Sequence, residues 1–160
     1  MSVKENIKGF VVERLLERPA RRQSLVAQLG KLETAGQKLE ARLGRAAGTP
    51  KDQETLRHII GIERWGQRRV ARVAEGGAPD DVVMDSYGPY RPTEEGWNAL
   101  IDAFRETRQQ TLETVRKLDD SQLALKVPHN DLGPLSVGAW LRYLRTHATL
   151  EGRRVKVGKG

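Results

Sequence analysis

Apolar residues recur at alternating steps of four and three along much of the chain, the spacing of one face of an α-helix. The first long run predicts a helix over residues 20–47. Its seam is formed by Leu25, Leu29, Leu32, Gly36, Leu39 and Leu43. We expect Gly44 and Gly48 to end it, because glycine readily adopts the conformation that follows a helix.

Start and stop signals delimit a second helix. Thr49 supplies a capping hydroxyl, Pro50 stands at the first helical position, and Asp52 places an acid in the first turn. The helix is predicted to run from Pro50 to about Glu75, where a Gly-Gly-Ala-Pro sequence stops it.

Two further helices follow. Thr93 is expected to cap a third helix that ends near Leu118, and Ser136 a fourth over residues 137–155. Both have strong apolar stripes. Four long helices around one core predict an all-α fold, a four-helix bundle.

The connecting segments lack a helical period. Residues 80–92 predict a long loop between the second and third helices, and Tyr87 or Tyr90 could line a pocket at its rim. Residues 126–135 indicate an irregular or strand-like link.

The chain divides into an appendage and one domain. An apolar run before Pro19 predicts a short N-terminal helical extension, residues 1–19, which the proline ends or kinks. Residues 20–157 are assigned to the bundle, since 160 residues suit one ordinary core.

The amino-acid composition limits the kinds of metal site and catalytic nucleophile that the protein can have. The sequence has no cysteine, which excludes disulfides, thiolate metal sites and a cysteine nucleophile. His, Asp and Glu remain as the strong metal ligands. The sequence shows no long apolar run and no secretory signal, so we expect a cytoplasmic protein without a membrane partner.

Basic residues outnumber acidic ones by 28 to 21, giving a formal charge of +7. The arginines are interleaved with acids, and few aromatic residues are available to stack on bases. We therefore expect the arginines to be dispersed over the helix surfaces. This distribution predicts only weak, non-specific association with nucleic acid, lost with modest salt, and no specific complex.

Two ionisable residues share the apolar stripe of the fourth helix. His147 and Glu151 lie one turn apart and continue the core-facing stripe of that helix. A helix-bundle interior seldom accepts such groups without a role. His58 lies among apolar residues of the second helix, so we hypothesise a metal site within the bundle, made by His58, His147 and Glu151. The alternatives are a buried His147–Glu151 ion pair, or Glu151 bound to a nearby arginine.

Other polar residues have simpler interpretations. His129 lies in a loop, where a turn or capping role is favoured over metal ligation. Glu63 is expected to pair with Arg64 or Arg108, with a role behind the metal ligands as the alternative.

The order of these motifs resembles the DinB/YfiT-like superfamily over residues 20–155. The resemblance is carried by the segments LRHIIGIERW at 56–65, FRETR at 104–108, HNDLGPLS at 129–136 and HATLEGRRV at 147–155. It implies a four-helix bundle in which a histidine of the second helix and a His-x-x-x-His pair of the last helix bind a divalent metal. By position, His58 and His147 match the first two ligands.

The chain departs from that pattern at Glu151, where the family has its third histidine. Two histidines with one carboxylate form a well-known open site, which favours zinc or nickel and also suits iron. The resemblance implies hydrolase or thiol S-transferase chemistry on a small molecule. The alternative is a catalytically silent bundle that serves as a binding or stress-response module. In either case we expect a homodimer through outer helix faces.

Overall fold

The computed structural model describes residues 2–158 and is mostly helical. Met1, at the start of the predicted extension, and Lys159 and Gly160 lie outside the described residues. The elements are α1 (Val3–Val12), α2 (Arg18–Arg21), α3 (Leu25–Gly44), α4 (Pro50–Ala74), β1 (Lys126–His129), β2 (Gly133–Ser136), α5 (Trp97–Arg116) and α6 (Val137–Gly152). Short 3-10 turns cover Pro79–Asp81, Gly88–Tyr90 and Asp120–Ala124.

Capping side chains set several of the helix starts. The predicted caps at Thr49 and Ser136 are confirmed: each hydroxyl accepts a backbone N–H of the first turn, and Asp52 completes a capping box. The predicted start of α3 at residue 20 is wrong. Ser24 caps this helix by accepting the Ala27 N–H at 3.1 Å, so the helix begins at Leu25.

The predicted start of α5 is also wrong. Thr93 lies outside the helix, and Gly96 precedes it with a φ of 93°. A helix requires negative φ, so regular structure begins only after this glycine, at Trp97.

The four long helices lie side by side around an apolar interior. α3 and α4 each pack against both α5 and α6. The largest fully buried side chains include Trp140, Phe104 and Leu56. This packing places the middle of α4 next to the middle of α6.

A small antiparallel hairpin adds two short strands to the mostly helical fold, where the sequence predicted an irregular or strand-like link. In the predicted link, β1 pairs with β2 so that Val127 lies opposite Leu135, and both are fully buried. The Trp140 indole N–H donates to the Val127 carbonyl at 3.0 Å. The hairpin therefore closes one side of the core with paired backbone rather than an irregular loop.

Pro19 does not end the N-terminal helix. A π-helical segment, Glu13–Glu17, joins α1 to α2, and the chain stays helical through Arg21. Pro19 has no N–H for the Leu15 carbonyl, which instead accepts from Arg142 Nε at 2.7 Å. A side chain of α6 thus supplies the donor that the proline lacks.

Glu17, in the N-terminal extension, forms hydrogen bonds with Ser136 at the start of α6. Its buried carboxylate accepts the Ser136 N–H at 2.8 Å and the Ser136 hydroxyl at 2.7 Å. Outward from this anchor, α1 exposes an apolar stripe that includes Val3, Ile7 and Phe10. The homodimer remains a prediction. An exposed apolar stripe of this kind is a suitable surface for such a contact.

No helix within residues 2–158 combines the length and apolar character needed to cross a membrane.

Candidate metal centre

Two histidines from different helices meet between α4 and α6. His58 projects from the third turn of α4 and His147 from the second half of α6. Their Nε2 atoms lie 3.1 Å apart, and the ring centroids are separated by 4.9 Å with an angle of 60° between the planes. Both side chains are partly buried.

Glu151 completes the group from the next turn of α6. One ligand atom from each of His58, His147 and Glu151 lies within 4.8 Å of the others. Glu151 Oε2 accepts a hydrogen bond from Arg154 Nη1 at 3.0 Å. The structure therefore brings the three residues together, and it also contains the arginine contact that the sequence offered as an alternative.

The histidine pair has the spacing of two ligands of one ion. Metal–nitrogen bonds of about 2.0–2.1 Å place two ligand nitrogens about 3.3 Å apart at a tetrahedral ion and about 2.9 Å apart at an octahedral one. The observed 3.1 Å lies between these values. A hydrogen bond between neutral imidazoles has the same length, so the spacing suits an ion without requiring one.

Burial keeps His147 in the form that can ligate. Desolvation lowers the pKa of His147 to about 4; His58 acts in the same direction, whereas the charges of Glu151 and Glu63 oppose the shift. At neutral pH the imidazole is uncharged and has a nitrogen lone pair to offer.

Two tyrosines flank the histidines. The Tyr87 ring stands edge-on to His58 at 5.2 Å, and the Tyr143 ring lies 5.9 Å from His147. Burial raises the pKa of Tyr143 to about 12, so its phenol stays protonated at neutral pH. Tyr143 was missed in the sequence, although its position one turn before His147 on the same helix could have identified it.

A fully buried ion pair lies behind the histidines. Arg108 donates to Glu63 through Nε at 2.7 Å and Nη2 at 2.9 Å, and Nη1 donates to the Leu32 carbonyl at 2.9 Å. The Thr111 hydroxyl donates to Glu63 at 2.9 Å. This confirms Arg108 as the partner of Glu63, while Arg64 donates to Thr107 instead.

His129 stands apart from the metal-ligand group and closes the hairpin turn. Its Nδ1 accepts the N–H groups of Asp131 and Leu132 at 3.0 and 3.2 Å, as the turn role predicted. The ring is buried against Trp65, Trp140 and Tyr143. Desolvation lowers the pKa of His129 to about 4, with Asp131 opposing the shift and Arg69 and Lys8 adding to it.

Acid should therefore destabilise the fold through His129. Between pH 6.5 and about 4 the unfolded chain binds a proton that the folded chain does not, so stability is full above pH 6.5 and falls as the pH decreases. We expect this residue to cost about 2 kcal/mol of unfolding free energy between pH 7 and pH 5. Chemical denaturation at both pH values measures it.

His129→Asn is the matched control, because an asparagine oxygen can accept the same turn N–H groups and does not titrate. The wild type should lose about 2 kcal/mol more than this variant on acidification. His147 titrates in both proteins and cancels in the difference. Equal losses in the two proteins would show that His129 is not held neutral by the fold.

A family model described as the DinB superfamily matches residues 53–150, well over half of the chain, and the match includes His58 and His147. No curated protein and no solved structure matches significantly. Glu151 lies one residue beyond the matched segment.

Proposed function

The chain belongs to the DinB superfamily, and on that premise we propose that it is a metal-dependent enzyme in which His58, His147 and Glu151 hold one divalent ion. The observation that carries the proposal is the 3.1 Å separation of the two Nε2 atoms from two different helices. Zinc or nickel is the favoured ion, and iron also suits two imidazoles with one carboxylate.

The proposed reaction class is hydrolysis or thiol S-transfer on a small molecule. A divalent ion supplies Lewis acidity that polarises a carbonyl or a thiol. His58 and His147 contribute nitrogen donors held by helix packing. Glu151 contributes one carboxylate oxygen while the other can keep its bond to Arg154. Tyr87 and Tyr143 pack beside the histidine rings, and the phenol of Tyr143 remains able to donate a hydrogen bond.

We also propose that α3, α4, α5 and α6 constitute the four-helix bundle of residues 20–157, with residues 1–19 as the extension. The pairwise packing of these helices supports this assignment. The bundle matters for function because two of its neighbouring helices, α4 and α6, hold the donors rigidly.

The second candidate is a silent binding module. The hydrogen bond from Arg154 to Glu151 favours it, because this contact gives the carboxylate a partner without any ion. In that protein His58 and His147 would share a simple hydrogen bond.

Metal content separates the two candidates. Protein dialysed against zinc, nickel or iron(II) and then freed of unbound ion is expected to carry about one equivalent, as measured by elemental analysis. His147→Ala should carry almost none. His129→Asn removes a histidine outside the group and should retain the metal.

Activity then tests the enzyme. The metal-loaded protein is expected to turn over activated aryl esters or to transfer a thiol to an electrophile, and His147→Ala should lose that activity. A wild-type protein without stoichiometric metal would establish the silent module. A metal-loaded protein inert on both substrate classes would leave a metal-binding protein without the proposed chemistry.

A further inference from the structure

A groove runs between α3 and α6, along a side of α6 that contacts α3 rather than α4. Its volume is about 700 Å³, within the range that holds small organic ligands. Gln28 lies against Gly138 near the start of both helices and Leu39 against Gly152 near their ends, so the two walls run in the same direction. None of the three candidate metal ligands lines this groove.

Cationic side chains cluster along this groove, whereas the sequence predicted that the arginines would be dispersed over the helix surfaces. Its lining includes five cationic side chains and no acidic one: Lys31, Lys38, Arg42, Arg145 and Arg153. These residues share one surface because the two helices lie side by side and run in the same direction. The spacing of residues along each helix alone does not predict this clustering. Among the side chains that the structure describes, Arg42 is the one of these five with hydrogen bonds: it donates to the carbonyls of Gly152, Arg153 and Val155.

Arg145 is the groove cation that lies within α6. Its side chain is partly buried and makes no ion pair with any side chain that the structure describes. Burial lowers the pKa of Arg145, and the positive charges of Arg142 and Arg108 act in the same direction. A partly desolvated guanidinium among like charges is unfavourable unless an anion neutralises it.

The rest of the lining is mostly small and apolar, with two hydroxyls, from Thr34 and Thr149. Val26, Ala27, Gly30 and Ala35 line the α3 side, and Leu39 lies at the far end. These short side chains leave open space beside the arginine. An ion such as free phosphate would use the charge but not this apolar surface.

We propose that the groove binds an anionic amphiphile, a small molecule with a carboxylate or phosphate head at Arg145 and an apolar body along the small residues of α3. A head of either kind accepts charge-assisted hydrogen bonds from a guanidinium. The apolar body gains by leaving water, and the unpaired charge of Arg145 is neutralised. This site is independent of the metal-ligand group.

Titration calorimetry with octanoate and octyl phosphate tests the proposal. At least one should bind saturably with one site per chain, and the better of the two identifies the head group. Inorganic phosphate, which lacks the apolar body, and octylammonium, which reverses the charge, should each bind about tenfold or more weakly. The same result is expected before and after removal of bound metal, which excludes ligation of an ion by the probe.

Two variants locate the binding. Arg145→Gln should weaken it by about tenfold or more, whereas Arg116→Gln, which removes one exposed arginine from α5, should not. Gly30→Leu should abolish binding by filling the groove. A Cβ added at Gly30 would have no heavy atom within 4 Å, so the fold should accept a side chain that starts there and extends into the groove. Gly44→Leu, on the same helix and equally unobstructed, is the control.

The outcomes are distinguishable. Binding that is lost in Arg145→Gln and Gly30→Leu but kept in both controls supports the proposal. The proposal is overturned if neither amphiphile binds, or if both variants bind as the wild type does. It is also overturned if a short DNA duplex binds in an Arg145-dependent manner while the amphiphiles do not, which would assign the groove to a polyanion.

Discussion

Saturating zinc or nickel is expected to raise the unfolding free energy of the protein by about 3–4 kcal/mol when free metal is 100–1,000 times its dissociation constant. The increase follows from linkage, because His58 and His147 are 89 residues apart in sequence and only the folded chain places their Nε2 atoms 3.1 Å apart. An ion that binds the folded state alone stabilises it by mass action. Denaturation with and without metal measures the increase.

His147→Ala should lose most of this response, because removal of one nitrogen leaves an incomplete ligand set. His129→Asn should respond like the wild type, since that residue closes the hairpin turn. If metal stabilises both variants equally, the ion binds elsewhere. If it stabilises none of the three proteins, the hydrogen bond of Glu151 with Arg154 describes the functional state, and the silent module is the better assignment.

The helix boundaries could be predicted where a local capping residue sets them. Thr49 and Ser136 act on backbone groups within three residues, so the sequence contains the whole interaction. The start of α5 was missed because several polar residues precede it, and only the positive φ of Gly96 decides among them. The sequence left open whether Pro19 ends or kinks the helix, because the substitute donor, Arg142, lies 127 residues from Leu15, whose carbonyl it binds.

The candidate site was predictable as a set of residues but not as a geometry. Periodicity placed His147 and Glu151 on the core-facing stripe, and His58 lay among buried positions of α4. Side-chain rotamers decide whether Nε2 atoms converge and whether Arg154 engages Glu151, and no periodic pattern encodes rotamers. The groove beside Arg145 also depends on the mutual direction of α3 and α6, which the sequence did not specify.

Arg108→Met is expected to destabilise the fold by about 3–5 kcal/mol, because it leaves the Glu63 carboxylate buried without its counter-charge. The two side chains are only 4% and 2% exposed, so water cannot replace the lost partner. Arg105→Met is the matched control on the same helix. Its surface bridges to Glu40 and Asp102 are exposed, and the substitution should cost less than about 1 kcal/mol. Urea denaturation measures both.

The double variant Glu63→Met with Arg108→Met separates two causes of destabilisation. One is the loss of the ion-pair attraction, and the other is the burial of a carboxylate without a counter-charge. Replacing both members of a buried pair with apolar side chains removes the desolvation cost together with the attraction, so the double variant should be more stable than Arg108→Met alone. The Thr111 hydroxyl would lose Glu63 but keep the Thr107 carbonyl, 3.1 Å away, as its acceptor, so it should not be left unsatisfied. Gly36 admits Arg108 so closely that a Cβ there would meet Arg108 Cγ at 3.0 Å, and the flexible methionine can occupy the vacated space. A double variant less stable than Arg108→Met would show that the two methionines cannot repack beneath α3. The hydrogen-bonded side chains around Glu63 would then stabilise the fold through packing as well as through charge.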